Sequence, residues 1–146
     1  MLVPSKRIFY ALEAVLFIAY NSKSGAIASR DIAERQQLPA RYLEPILQKL
    51  VRAEILKSVR GPQGGYVLGR ERRRITLKDI CDVLLEDESL PNSSLPLGEQ
   101  VLRPVMTTAQ HAWQAQLAEI SIAGLCERAA EQGIAPAFEP PQDFTI

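Results

Sequence analysis

The stretch that decides the fold reads VRGPQGGYVL, over residues 59–68. Apolar and β-branched residues flank a centre that carries three glycines, and glycine readily adopts the positive φ angles that a tight hairpin turn requires. The stretch therefore predicts a short antiparallel hairpin with strands over 55–59 and 66–68. A basic segment, RERRR over residues 70–74, follows the second strand directly.

Three helices are predicted before this hairpin. Ser5 and Ser29 are suited to cap helices over 6–21 and 30–36, because a serine hydroxyl can accept a hydrogen bond from a free N–H of the first turn. Apolar residues spaced three or four apart predict a third helix over 40–53. Three helices followed by a hairpin indicate a winged helix-turn-helix unit, whose third helix fits the major groove of DNA.

The second half of the chain predicts further helices. We expect a mainly α-helical fold with a small β-hairpin, in which a winged helix-turn-helix domain precedes a long C-terminal helix for dimerisation. The expected organisation is a DNA-binding domain over 1–85 that ends in a helix begun by Thr76, an acidic loop over 86–97, a long helix and a short helix capped by Ser121 over 98–132, and a flexible tail over 133–146.

Charge is divided unevenly along the chain. The 17 basic and 17 acidic residues balance overall, yet residues 1–74 hold 14 Lys and Arg against 6 Asp and Glu, and residues 75–146 hold 3 against 11. The first part thus carries a net charge of +8 and the second a net charge of −8. Because the basic part coincides with the winged helix-turn-helix pattern, double-stranded DNA is the expected partner.

Other classes of protein are disfavoured. The chain has no phosphate-binding GxxxxGK[ST] loop, no grouping of metal ligands and no nucleophile–base pair, so we do not expect an enzyme. Its apolar residues, 47% of the total, are spread too evenly for a membrane protein. An apolar run after Lys6 and Arg7 is similar to a secretory signal, but Glu13 interrupts it. We therefore expect a cytoplasmic protein.

Five segments together resemble one bacterial family, the regulators typified by the iron–sulfur cluster regulator IscR and the nitrite-sensitive repressor NsrR. The segments are SK at 5–6, DIAE at 31–34, YLE at 42–44, VRGPQGGYVL at 59–68 and ITL at 75–77. The resemblance runs from about Ser5 to Leu85, more loosely to Cys126, and the hairpin is its most specific part. It implies a DNA-binding transcription regulator. A repressor is the expected type, and activation stays open.

The resemblance also implies DNA-binding residues. Bases would be read near the YLE motif, and Arg60 would be the wing arginine. By their chemistry, Glu44 can accept from a cytosine amino group and the arginines can donate to guanine or phosphate. Alternatively, Tyr42 and Glu44 are solvated, Arg60 contacts phosphate only and the glycines are structural. The expected set is Arg30, Arg41, Tyr42, Glu44, Lys49, Arg60, Gly61, Gln63, Gly64 and Gly65.

An apolar stripe follows the predicted long helix, with a spacing close to that of a coiled-coil seam. The resemblance implies that this is a dimer helix, and a symmetric homodimer would require a pseudo-palindromic operator. The alternative is that the stripe packs on its own domain. The stripe consists of Leu102, Met106, Ala109, Trp113, Leu117 and Ile120.

The chain differs from the family at the residues that bind the iron–sulfur cluster. Cluster-binding members of the family carry three cysteines in the loop before the long helix, whereas residues 86–97 contain none. Cys81 and Cys126 share helical faces with apolar residues, so we expect core thiols, and we expect His111 on the surface. No metal and no cofactor are expected, unless an iron–sulfur cluster uses an unusual ligand set. A sensing role for these three residues stays open.

The same pattern allows a second interpretation, a winged-helix module that binds another protein instead of DNA. Contacts to phosphates release counterions, so binding to DNA weakens as the salt concentration rises. Salt dependence of duplex affinity therefore distinguishes the two interpretations.

We expect protein purified without oxygen to be colourless and free of stoichiometric iron and sulfide, because the loop at 86–97 offers no thiolate ligand. It should still bind duplex DNA. Iron and acid-labile sulfide assays, with the visible spectrum, measure this. One cluster per subunit or per dimer would contradict the expectation and would make Cys81, Cys126 and His111 the first residues to substitute.

Overall fold

The structure, a computed structural model, describes residues 5–86 and 89–138. Within them, three helices precede a two-stranded hairpin and three helices follow it, so the predicted fold class is confirmed. Short 3-10 turns follow the first helix (Ser22–Ser24) and the second strand (Arg72–Arg74). The elements are α1 Lys6–Tyr20, α2 Ser29–Gln36, α3 Ala40–Arg52, β1 Leu56–Val59, β2 Gly65–Leu68, α4 Leu77–Leu85, a π-helical segment Leu97–Leu102, α5 Arg103–Ala118 and α6 Ile122–Glu131.

Three helices begin at the side chains that the sequence indicated. The hydroxyls of Ser5, Thr76 and Ser121 each accept a hydrogen bond from the N–H three residues later, at 3.4, 3.2 and 3.0 Å. At α4 the Asp79 carboxylate also accepts from the Thr76 N–H at 2.9 Å, which completes a capping box. Each such cap stabilises its helix by about 1 kcal/mol.

Helix α2 begins differently from the prediction. Ala28 is its N-cap and Ser29 its first residue, so the expectation that Ser29 caps this helix is wrong. The Ser29 hydroxyl instead donates to Glu44 on α3 at 3.4 Å. The cause is tertiary, because Ile27 is held in a β-bridge with Tyr66, and this bridge determines where the chain can turn into the helix.

The core lies where α1, α3, α4 and the hairpin meet. Helix α1 contributes small residues such as Ala11 and Ala14, which let its neighbours approach closely, and α3 contributes fully buried Leu47 and Leu50. Burying one leucine side chain stabilises the fold by about 1.5–3 kcal/mol. Within residues 5–86 and 89–138, no helix is both long enough and apolar enough to cross a membrane.

The loop before α5 is fastened by Glu99. Its carboxylate accepts from Nε and Nη2 of Arg103 at 2.8 Å each, and from the Ser93 N–H at 2.7 Å. These hydrogen bonds, that from Arg103 foremost, lower the pKa of Glu99 to about 2. These contacts lie at the start of the predicted long helix, which consists of the π-helical segment Leu97–Leu102 followed by α5.

The connection between α5 and α6 is joined to the start of α4. The Leu77 N–H donates to the Ile120 carbonyl at 2.9 Å, and the Ile122 N–H donates to the Ile75 carbonyl at 2.8 Å. Ile122 is fully buried beside them. These backbone hydrogen bonds hold α6 against the segment that follows the hairpin.

The sequence predicted a flexible tail after α6. Residues 134–138, here called the C-terminal strap, instead pack back on α1 and α2. The Asn21 side-chain oxygen accepts from the N–H groups of Ala137 and Phe138 at 2.7 and 3.3 Å. The Arg35 guanidinium lies 4.8 Å from the centre of the Phe138 ring. The rest of the predicted tail lies outside the described residues.

Candidate nucleic-acid interface

Helix α3 presents a polar face to solvent. Its opposite face, with Leu43, Ile46, Leu47 and Leu50, is buried in the core. Thirteen residues give the helix a length of roughly 20 Å at 1.5 Å per residue, enough to lie along a major groove. The exposed side chains are Arg41, Tyr42, Glu44, Pro45, Gln48 and Arg52.

Pro45 lies inside α3, in its second turn. Proline has no N–H, so the Arg41 carbonyl lacks its usual donor four residues later. Both residues are exposed, which lets water satisfy that carbonyl, and the helix continues to Arg52. The start of α3 is therefore preserved despite the proline.

The other helical candidates differ in exposure. Tyr42 is 40% exposed and packs edge-to-face on Tyr10, with ring centres 6.2 Å apart. Arg30 is exposed in the first turn of α2, whereas Lys49 on α3 is only partly exposed. Of these residues, Arg30 and Tyr42 are accessible to a large partner in the described structure.

Glu44 lies where three elements meet. The Ser29 hydroxyl of α2 donates to its carboxylate. On β2, burial raises the pKa of Tyr66, and the negative charge of Glu44 raises it further. The Glu44 carboxylate is therefore near both α2 and the base of the hairpin.

Tyr66 joins the hairpin to the helices. Its N–H donates to the Ile27 carbonyl at 2.8 Å, and its carbonyl accepts from the Ile27 N–H at 3.0 Å. Its hydroxyl accepts from Nε2 of Gln48 at 3.2 Å. The hairpin, or wing, is thereby held at a defined position beside the exposed face of α3.

The tip of the wing is built from glycines. The Gly64 N–H donates to the Gly61 carbonyl at 2.9 Å, and Gly61 has a φ of 116°. A Cβ on Gly64 would lie 2.3 Å from the Val59 carbonyl oxygen, so the turn requires glycine there. Arg60 and Gln63 are exposed at this tip.

Two side chains of this surface, Gln48 and Ser29, are not in the set of DNA-binding residues expected from the sequence. Gln48 lies one helical turn after Glu44 and contacts the wing, and Ser29 contacts Glu44. The four-residue spacing of Gln48 from Glu44 was a usable signal. Nothing local in the sequence pointed to the contact of Ser29.

Much of the charge in the basic segment after the wing is already paired. Arg73 and Arg74 lie 2.6 and 4.0 Å from the Glu71 carboxylate, and Arg70 lies 4.0 Å from that of Asp79. Glu71 is already counted in the net charge of +8 of residues 1–74, so only the pairing of Arg70 with Asp79, which lies outside that range, lowers the charge that is free to meet DNA.

The apolar stripe predicted for the long helix is partly packed against the core and partly exposed. Trp113 and Leu117 pack against the core of their own domain, while Leu102 is 57% exposed. Met106, Ala109 and Ile120 are partly exposed. Large apolar side chains are exposed near the start of this helix, and Leu102 is the member that they share with the predicted stripe. We call this set the apolar ridge: Leu95, Leu97, Val101, Leu102 and Val105.

Both thiols lie in the core, as expected. Cys81 is 1% exposed and Cys126 is 5% exposed. Burial, with the Asp82 charge, raises the pKa of Cys81 to about 11. Burial also raises the pKa of Cys126, although the nearby Arg72 guanidinium opposes the shift. Among residues 5–86 and 89–138, no group of three or more His, Cys, Asp or Glu side chains could hold a metal ion.

This chain is similar to known transcriptional regulators. A sequence model of the family described as "Rrf2: Iron-dependent Transcriptional regulator" matches residues 4–128. The HTH-type transcriptional regulator IscR of Cronobacter sakazakii is 40% identical over 81 residues, which are 56% of this chain and 49% of that protein. The chain thus spans about half the length of the curated relatives it matches. These relatives are transcriptional regulators and not enzymes.

Solved structures match over most of the chain. T. potens IscR has a TM-score of 0.75 and 32% identity, covering 91% of this chain and 92% of that one. CymR, the global cysteine regulator of B. subtilis, has a TM-score of 0.72 and 31% identity, covering 88% and 98%. A transcriptional regulator from Listeria innocua has a TM-score of 0.69 and 28% identity, covering 97% and 95%.

The position of the wing depends on glycine at 65, because a Cβ there would lie 2.3 Å from the Ile27 carbonyl oxygen. Gly65→Ala should lower the free energy of unfolding by about 1–3 kcal/mol through overpacking. Gly124→Ala, in α6, is the matched control, since its Cβ would meet only the Ser121 hydroxyl at 3.4 Å. It should be neutral or stabilise by about 0.5–1 kcal/mol. Urea unfolding measures both, and equal effects would contradict the close approach.

Proposed function

The chain belongs to the Rrf2 family of transcriptional regulators, and we propose that it binds DNA as a homodimer on a pseudo-palindromic operator and thereby regulates transcription. One observation carries the proposal. Tyr66, through Ile27 and Gln48, holds the glycine-tipped wing beside the exposed polar face of α3. A helix for the major groove and a hairpin with an exposed arginine are thus combined in one surface.

Base reading is assigned to α3. Arg41 can donate to guanine, Glu44 can accept from cytosine, and Tyr42 offers its ring edge and hydroxyl beside them. All three are exposed near the start of the helix. The contact of Ser29 with Glu44 restricts the carboxylate, which favours a defined base contact over a mobile, solvated one.

Positioning on the DNA backbone is assigned to the wing and to α2. The exposed Arg60 and Gln63 of the wing tip suit phosphates or the adjacent minor groove. Gly61, Gly64 and Gly65 would contribute by giving the turn the shape that places Arg60 and Gln63 at the wing tip. Arg30, exposed at the start of α2, suits a phosphate, and Lys49 would contribute from the flank of α3.

The apolar ridge supports the homodimer. Val101 and Val105 are 60% and 62% exposed and lie one helical turn apart, with Leu97 at 73% one turn before them. Contiguous apolar patches of this kind are rare on monomers and mark interfaces. A second copy of the chain, related by a two-fold axis, would cover the ridge with the same residues.

Regulation by a cysteine-ligated iron–sulfur cluster does not fit this chain. Such a cluster needs thiolates, and Cys81 and Cys126 are buried thiols with raised pKa values. The loop where cluster-binding relatives of this type carry cysteines has none. We therefore propose regulation that does not depend on a typical iron–sulfur cluster.

Arg60→Ala should weaken binding to duplex DNA and reduce the slope of log affinity against log salt concentration by about one, because one phosphate contact is lost. Fluorescence anisotropy over a range of salt concentrations, with an operator recovered by selection from random duplexes, measures both quantities. Arg128→Ala removes an exposed arginine from α6 and should change neither quantity.

Glu44→Ala provides the complementary comparison. It should relax the preference at one base pair by about 1–3 kcal/mol, without the reduced salt slope of the Arg60 variant. An unchanged ranking of operator variants would remove Glu44 from the reading set. Wild-type affinity that does not depend on salt would contradict DNA binding and favour a protein-interaction module.

The double variant Val101→Glu, Val105→Glu should be monomeric, because two charges on each copy would be buried against their symmetry mates. Sedimentation velocity should show the mass fall from twice the subunit mass to 16.2 kDa. Val59→Glu, at a 42% exposed position on the wing, should remain dimeric. A monomeric wild type, or a double variant that stays dimeric, would refute the assignment of the ridge.

A further inference from the structure

An open cavity of about 310 Å3 lies between the end of α1, the 3-10 turn after the wing and α6. The end of α1 and the following turn contribute Tyr20 and Lys23, the turn after the wing contributes Arg72, and α6 contributes Glu127. Pro136 of the C-terminal strap closes one side. This volume falls at the lower end of the range for small-molecule sites.

The cavity carries positive charge that the protein does not pair. Lys23 and Arg72 both line it, and in the described part of the chain no carboxylate lies within 4 Å of either. The neighbouring arginines differ, since Arg70 and Arg73 pair with Asp79 and Glu71. Glu127 is the one acidic side chain that lines this cavity, which leaves an excess of one positive charge.

Arg72 lies close to a buried thiol that cannot neutralise its charge. Its guanidinium lies beside the Cys126 thiol on α6. Burial outweighs the influence of Arg72 and raises the pKa of this thiol, so the sulfur is neutral at pH 7 and does not balance the guanidinium charge. Arg72 and Cys126 both line the cavity, so the guanidinium contributes to it a charge that the thiol does not balance.

The remaining lining suits a small organic molecule. Ala123 and Ala130 of α6, together with Pro136, offer an apolar surface, and Ser22 adds a hydroxyl near Lys23. We propose that the cavity binds a small organic carboxylate, with its carboxylate between Lys23 and Arg72 and its apolar part against α6 and the strap. Charge-assisted hydrogen bonds of this kind are roughly twice as strong as neutral ones.

Such a ligand would connect the cavity to the wing. Arg72 follows the last residue of β2 by four positions, and Tyr20 donates to the Ile134 carbonyl of the strap. A carboxylate that bridges Lys23 and Arg72 favours conformations in which these elements stay together, and this shifts affinity at any site that depends on them. This regulatory consequence rests on the proposed function, whereas carboxylate binding itself does not.

The test compares acids with their amides, which have nearly the same shape but no charge. Benzoate and phenylacetate, and separately benzamide and phenylacetamide, are titrated into the 15N-labelled full chain. At least one acid should shift the amide resonances of residues 20–23, 72 and 123–130, and should bind at least tenfold more tightly than its amide. Lys23→Gln and Arg72→Gln should each weaken the acid about tenfold, as loss of one charge-assisted contact implies.

Arg73→Gln is the matched control. It removes the same charge from the next residue, but Arg73 pairs with Glu71 and does not line this cavity, so the affinity for the acid should stay unchanged. Equal affinities for acids and amides, no acid binding, or equal losses for the Arg72 and Arg73 variants would overturn the proposal. Duplex binding is measured on the same samples without ligand, so failure of the proposed function is recognised separately.

Discussion

Two backbone hydrogen bonds between Ile27 and Tyr66 are the constraint on which the rest of this structure depends. They join the segment before α2 to the second strand of the wing, and the helix-turn-helix and the hairpin therefore cannot move independently. Gly65 permits the approach, since any side chain there would meet the Ile27 backbone. The hydroxyl of the same tyrosine meets Gln48, so the exposed face of α3 belongs to this arrangement as well.

Local chemistry made much of the fold predictable. The caps at Ser5, Thr76 and Ser121 require only residues within one helical turn. The glycines of the wing predict a hairpin because glycine can adopt the positive φ angles of a tight turn. Ser29 looked equally suitable as a cap, but its role was decided by residues distant in sequence. The bridge at Ile27 fixes where α2 begins, and a carboxylate on α3 takes the serine hydroxyl.

The candidate interface and the cavity were harder to predict from the sequence, because both depend on contacts between distant residues. Helical periodicity indicated the polar face of α3 and an apolar stripe on the long helix, but not which surface would cover that stripe. Trp113 and Leu117 pack against the core of their own domain while Val101 and Val105 stay exposed, and this division depends on which elements lie beside each part of the helix, which helical spacing does not encode. The cavity joins residues about a hundred positions apart, which no sequence pattern reports.

The C-terminal strap brings the last described residues back to the end of α1. Asn21 meets Ala137 across a sequence separation of 116 residues. Contacts this distant are slow to form, because a long loop must close before they contribute. During synthesis the first helices emerge from the ribosome well before residues 134–138 do. The nascent winged helix-turn-helix unit therefore forms first without the strap, and Asn21 makes its hydrogen bonds to the strap only after residues 134–138 have left the ribosome.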